Sequence, residues 1–140
     1  MPAMIPAEAT TVQKTIEIPG VNKNVIYERS RIWIAKTFRS SKAVIEYENK
    51  ETGVIIGNGI VSYPVTAGPF GLTAMVPVRF TMKEDIKDEK IRITFDNLFE
   101  GTGDYPVKYQ RSMDLIRPKL LSLADDLGAA LRSPQTNESW

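Results

Sequence analysis

Hydrophobic and polar positions recur with two different periods along this chain, and the changes of period mark out its elements. From Thr10 to Ile18, Val12, Ile16 and Ile18 fall on one parity and Gln13 and Glu17 on the other, the period-two signature of a strand. Pro19-Gly20 ends it. The next stretch, VNKNVIYERSRIWIAKTF, has helical period: Ile26, Ser30, Trp33, Ile34 and Thr37 line one face, and Arg29, Arg31 and Lys36 lie largely away from it. Asn22 is placed to cap that helix, with Val21 and Ile26 at the spacing of a hydrophobic staple.

Two strands then flank the polar loop Asn49 to Gly53, as in a hairpin. A second turn covers Pro64 to Gly71. In the strand after it, Leu72, Ala74, Val76, Val78 and Phe80 share the inward parity, and Thr73, Arg79 and Thr81 the other. KDEK makes a third turn. In the last strand Ile91, Ile93 and Phe95 point inward, and Lys90, Arg92, Thr94 and Asp96 outward. Asn97 to Arg111 reads as an irregular connection. Met113, Ile116, Leu120, Leu123, Leu127 and Leu131 then mark an amphipathic helix, with Pro118 either at its first turn or as a kink.

The predicted order is β-α-β-β-β-β-α. An antiparallel five-stranded sheet with one apolar face, covered by two helices, makes a two-layer α+β fold whose other sheet face is open. Residues 1–9 read as a tether, 10–132 as one domain and 133–140 as a tail.

Composition narrows the chemistry. The 140 residues are 42% hydrophobic and 25% charged, as expected of one globular domain. A formal net charge of +1 provides no field for nucleic acid or an anionic membrane, so no nucleic-acid partner is expected. The chain has neither Cys nor His. That excludes disulfides, thiolate nucleophiles, a Ser-His-Asp relay and the usual thiolate and imidazole metal sites. No catalytic residue, metal or cofactor is therefore expected. No apolar run is long enough to span a bilayer, and MPAMIPAEATT has neither part of a signal peptide, so membrane anchoring would need a leader outside this chain.

The segment VIYERSRIWIAKTFRSSKAVIEYENKETGVIIGNG resembles a bacterial family called domain of unknown function 4468, which has a TATA-binding-protein-like fold. The resemblance rests on Tyr27, Trp33, Phe38, Ser41, Lys42, Ile45, Gly53, Ile55, Gly57 and Gly59, and covers roughly Ile16 to Asn97. It implies the β-α-β4-α fold inferred above. It also implies an exported or lipid-anchored protein of the cell envelope or periplasm, with no established activity; the residues alone fit the cytoplasm as well.

Individual motifs favour structural roles. Gly57 and Gly59 sit in an extended apolar run with no helix following, so they suit a bulge or bend rather than a phosphate cradle. Trp33, Phe38 and Tyr47 could form a stacking platform, but Trp33 sits on the helix's buried stripe and Tyr47 shares parity with Ile45, so core packing is expected. Glu84-Asp85, Asp88-Glu89 and Asp125-Asp126 lack metal-loop spacing and read as solvated turns and faces. The open sheet face, with Met75, Arg79, Lys90 and Arg92, is the candidate interaction surface for a protein partner or a second copy. Glu46 is expected to share it. The alternative is a small-ligand or lipid carrier with a pocket between sheet and helices, lined by Trp33, Tyr47, Phe95 and Leu123.

Overall fold

The computed structural model describes residues 5–38, 45–103 and 105–132. The Ser41-Lys42 link and the tail expected at 133–140 lie outside the described residues. Strand β1 is Val12–Glu17, helix α1 Lys23–Thr37, β2 Ile45–Asn49, β3 Val54–Ala67, β4 Leu72–Lys87, β5 Lys90–Glu100, β6 Tyr105–Pro106 and helix α2 Gln110–Arg132. A 3-10 turn, Ala7–Thr10, precedes β1. Just before it, within the stretch expected to be a tether, the Ile5 N–H donates to the Lys108 carbonyl at 2.9 Å.

Alternation along the strands becomes one antiparallel sheet of order β1-β5-β4-β3-β2, with β6 added beside β5. Ile55, Phe80, Met82, Ile86, Ile91, Ile93 and Phe95 bury against Ile26, Trp33 and Ile34 of α1 and Met113, Ile116, Leu120, Leu127 and Leu131 of α2. Both helices therefore cover one face of the sheet. This is the predicted two-layer architecture, with the short β6 added.

Helix α1 begins where the sequence predicts. Asn22 is extended, and its Oδ1 accepts the Val25 N–H at 3.0 Å. The next orphan amide is met from across the molecule, because the Lys23 N–H donates to Asp88 Oδ1 at 2.7 Å. Glu89, in the same turn at φ 64°, takes the Gly20 N–H on its side chain and donates its own N–H to the Val21 carbonyl. The acidic β4–β5 turn thus also latches the start of α1.

Several expectations change in register or extent. Thr37 is exposed, and Phe38, just past the helix, is the buried residue at that end. Leu72 and Ala74 keep their parity but are exposed. The β3–β4 pairing runs on to Ala67 and Leu72, whereas β5 pairs with β4 only as far as Val78 and, among the described residues, β2 pairs with β3 only as far as Gly57, so the end of the hairpin is a two-stranded ribbon. The connection after Asn97 is more ordered than predicted: β5 continues to Glu100, and β6 and buried Val107 follow. Pro118 lies inside α2, on its exposed side.

Candidate functional site

On the open face of the sheet, a depression of 610 Å³ is lined by Asn58, Gly59, Ile60, Arg79, Phe80, Thr81, Asn97 and Phe99. Strand register builds it from two rows. In the first, Asn97 Nδ2 donates to Thr81 Oγ1 at 3.4 Å, and the Thr81 hydroxyl donates to Asn58 Oδ1 at 3.1 Å. Asn58 Nδ2 donates in turn to Glu46 Oε1. This polar ladder crosses β5, β4, β3 and β2 in sequence. In the second row Ile60 and Phe99 both stand in register with Arg79, one on each neighbouring strand.

Two irregularities create this arrangement. Between the pairs Thr81↔Asp96 and Arg79↔Phe99, β5 carries one residue more than β4, and Asn97 takes φ 50° there. Asn tolerates this left-handed conformation better than most residues. The extra residue lets Asp96, Asn97 and Phe99 all serve the open side, while Leu98 stays buried. On β2 the register shifts between Ile45 and Tyr47. Glu46 and Tyr47 consequently both turn outward.

That second bulge corrects the expectation for Tyr47. Side-chain direction alternates strictly only in an unbroken ladder, and one inserted residue inverts it. Tyr47 is 49% exposed on the face opposite Trp33 and Phe95. The four residues expected to line a carrier pocket therefore do not meet. Trp33 and Phe95 are instead packed through a chain of edge-to-face ring contacts by way of Phe38 and Phe80, with centroids 5.4–6.2 Å apart. Trp33 Nε1 donates to Asp126 Oδ2 at 2.9 Å. Leu123 is only half-buried.

The four candidate interaction residues share the open face but not one place on it. Arg79 lines the depression. Met75, 58% exposed, stands on the ribbon. Lys90 and Arg92 lie at the other end of the sheet, where Arg92 sits opposite Asp85, about 20 Å along β4 from Arg79 at ~3.3 Å per residue. There Asp85 is shared by Arg92 and Lys83, each at 3.7 Å. From Val54 to Val78 the chain contains no charged residue at all, so Arg79 marks the boundary between an uncharged ribbon and a charge-paired sheet.

Gly59 lines the depression, and its missing side chain serves the core. A Cβ there would stand 2.7 Å from Phe80 Cζ and 3.0 Å from Phe38 Cε1, so glycine is needed for the rings to approach the strand. Gly57 is buried in the same strand, opposite the β2 bulge. The bend expected of these glycines appears as that bulge on the partner strand.

Glu84 departs from the expectation of a solvated face, whereas its neighbour Asp85 does not. Glu84 is 0% exposed, inside the core, and its Oε1 accepts the Ser30 hydroxyl at 2.5 Å. Its Oε2 has no hydrogen-bond partner among the described residues. Burial pushes its carboxyl up to about 7, against the opposing pull of the Ser30 hydrogen bond. Parity carried the signal, since Met82, Glu84 and Ile86 follow Val78 and Phe80 on the inward face. At the far end of the sheet, burial and the neighbouring Glu100 raise the Tyr63 phenol to about 12; its hydroxyl donates to Glu100 Oε1 at 2.6 Å. Among the described residues no group of three or more acidic side chains is arranged to hold a metal ion, and no helix is long and apolar enough to cross a membrane.

A family model described as "Domain of unknown function (DUF4468) with TBP-like fold" matches residues 13–100. Two solved structures are similar over almost the whole chain. One is a DUF4468 family protein from Bacteroides ovatus, with TM-score 0.70 and 16% identity, covering 95% of this chain and 92% of that one. The other is a TBP-like protein from Parabacteroides distasonis, with TM-score 0.68 and 12% identity, covering 89% and 94%. At such identities the likeness is one of fold. No curated protein matches the chain.

Proposed function

The chain belongs to the DUF4468 family with its TBP-like α+β fold, and on that premise we propose that it is a non-enzymatic interaction module whose open sheet face binds a protein partner. The observation that carries this reading is the depression between Ile60, Arg79 and Phe99, an indented surface on the one sheet face that neither helix covers. Its volume falls within the range of ordinary binding sites, and the polar ladder holds its floor in one arrangement. Arg79 is the centre of the proposed surface, Met75 extends it onto the ribbon, and Lys90 and Arg92 form its charged far end. Nucleic acid suits the face poorly. Among the described residues Arg79 is the single charged residue of the lining, and Glu46 and Asp96 stand beside the ladder. A cell-envelope location is proposed with this reading, on the family resemblance alone, and fractionation of the native host tests it.

The binding reading is tested by placing a photo-crosslinking amino acid at position 60 or 99, and separately at exposed position 122 on α2, in the native host. Adducts are expected from the open face and not from the helix face, and they should vanish with Arg79→Glu. Equal labelling from both faces, or none from positions 60 and 99, rules the reading out.

A further inference from the structure

Independently of the binding role proposed for the open face, we infer that the free edge of β4 at Thr73 and Met75 pairs with the same edge of a second copy of this chain. Two sheets then join into one across a two-fold axis at Ala74. Strand register shows where the edge is open. β3 and β4 pair without a shift from Val54↔Asp85 to Ala67↔Leu72, so along each strand the backbone groups alternately face the other strand and face away. The Pro77 carbonyl faces away from β3, since it accepts the Gly101 N–H at 2.9 Å. Met75 and Thr73 share that parity. β5 pairs with β4 no further than Val78, and among the described residues no strand runs beside Thr73 or Met75. Each presents an N–H and a C=O to an added strand. The β3 edge of the same ribbon differs, because Pro64, opposite Met75, has no N–H to offer there.

A second copy fits this edge better than an arbitrary strand. Antiparallel pairing about a two-fold axis has one register that uses both open residues of each copy: Thr73 against the partner's Met75, and Met75 against the partner's Thr73. Each such pair exchanges two hydrogen bonds. An axis at Met75 would need the Pro77 carbonyl, already taken by Gly101, and an axis at Thr73 would need Gly71, whose N–H bonds the Gly68 carbonyl in the turn. In the register that remains, Ala74 meets its own copy on the axis. A non-hydrogen-bonded pair of this kind brings the Cα atoms to ~4.5 Å, a space that suits two methyl groups. Exposed Leu72 then lies opposite the partner's Val76, an apolar pair on the face that carries the core side chains. Charge agrees. An isologous contact sets side chains near their own copies, where any charge meets its like, and Val54 to Val78 holds none. The same stretch lacks the lysines that commonly blunt an open edge. Pairing from Leu72 to Val76 alone is a small contact, so the association is weak and reversible. Paired strands share their faces, so the two depressions open to the same side.

Oxidative crosslinking tests the register directly, because the chain has no cysteine of its own. Ala74→Cys puts two thiols on the axis at a Cα separation that a disulfide accepts. Under mild oxidation it should dimerise about tenfold or more faster than Thr66→Cys, which stands on the β3 edge of the same ribbon. Sedimentation equilibrium of the parent chain, taken up to millimolar concentration, should show reversible dimers. Ala74→Lys and Ala74→Glu should each sediment as monomers, and an equal mixture of the two should associate, because opposite charges then face each other across the axis. Rescue by mixing separates a lost contact from a lost fold. Equal disulfide formation at both positions, a parent chain that stays monomeric, or a mixture that stays monomeric overturns the inference. If Ala74→Cys fails to crosslink while the parent chain floats with phosphatidylcholine vesicles, the ribbon meets a lipid surface and the dimer is ruled out.

Discussion

Replacing Glu84 by glutamine should change the pH dependence of stability more than stability itself. Glu84 lies fully inside the core under α1, held by one hydrogen bond from Ser30. Burial raises its folded-state value to about 7 from an ordinary 4.5, so the native protein keeps a proton that the unfolded chain releases. A group of this kind stabilises the fold most at low pH. Its contribution declines as pH rises above 4.5, and the full penalty is reached once the folded carboxyl ionises above 7. At about 1.4 kcal/mol per tenfold change, the gap corresponds to about 3 kcal/mol, most of it lost between pH 5 and pH 8.5. Glutamine keeps an acceptor for the Ser30 hydroxyl and cannot ionise. Urea unfolding of both proteins across that range should therefore show the variant gaining about 2–3 kcal/mol on the parent as pH rises. The baseline offset between them cancels in this comparison. A difference that stays flat from pH 5 to 8.5 would refute the claim that Glu84 is held neutral by burial.

Three further outcomes follow from packing and capping. Gly59→Ala should destabilise by about 1–3 kcal/mol in chemical denaturation, because its methyl group would stand 2.7 Å from the buried Phe80 ring; an unchanged midpoint would show that the rings yield freely. Asn22→Ala removes the acceptor for the Val25 N–H and should cost about 1 kcal/mol, whereas Asn22→Asp should cost little, both read by thermal unfolding. Pro118→Ala restores a backbone donor on the exposed side of α2 and should raise the thermal midpoint; a drop would mean that the proline is needed for the path of the helix.

Local pattern was enough for much of this protein. The alternation at Ile91, Ile93 and Phe95 and the helical stripe from Met113 to Leu131 were visible without coordinates, because burial of one face imposes a period on any element that has two. The same rule, followed two residues past Met82, puts Glu84 inside; its residue type hid what its position declared. The absence of Cys and His excluded whole classes of chemistry before any fold was known. Register was a different matter. That β1 joins the sheet beside β5, that Glu46 is an extra residue opposite β3, and that Asn97 is one opposite β4 are properties of strand pairs far apart in sequence. No window of either strand encodes them. Each inserted residue inverts every later side chain, which sent Tyr47 to the open face and brought Phe99 beside Arg79. Local composition and period thus fix the elements, most of their buried faces and the chemistry denied to the chain. Tertiary structure decided which residues stand together on the face left open, because that depends on how strands count against each other rather than on how each is composed.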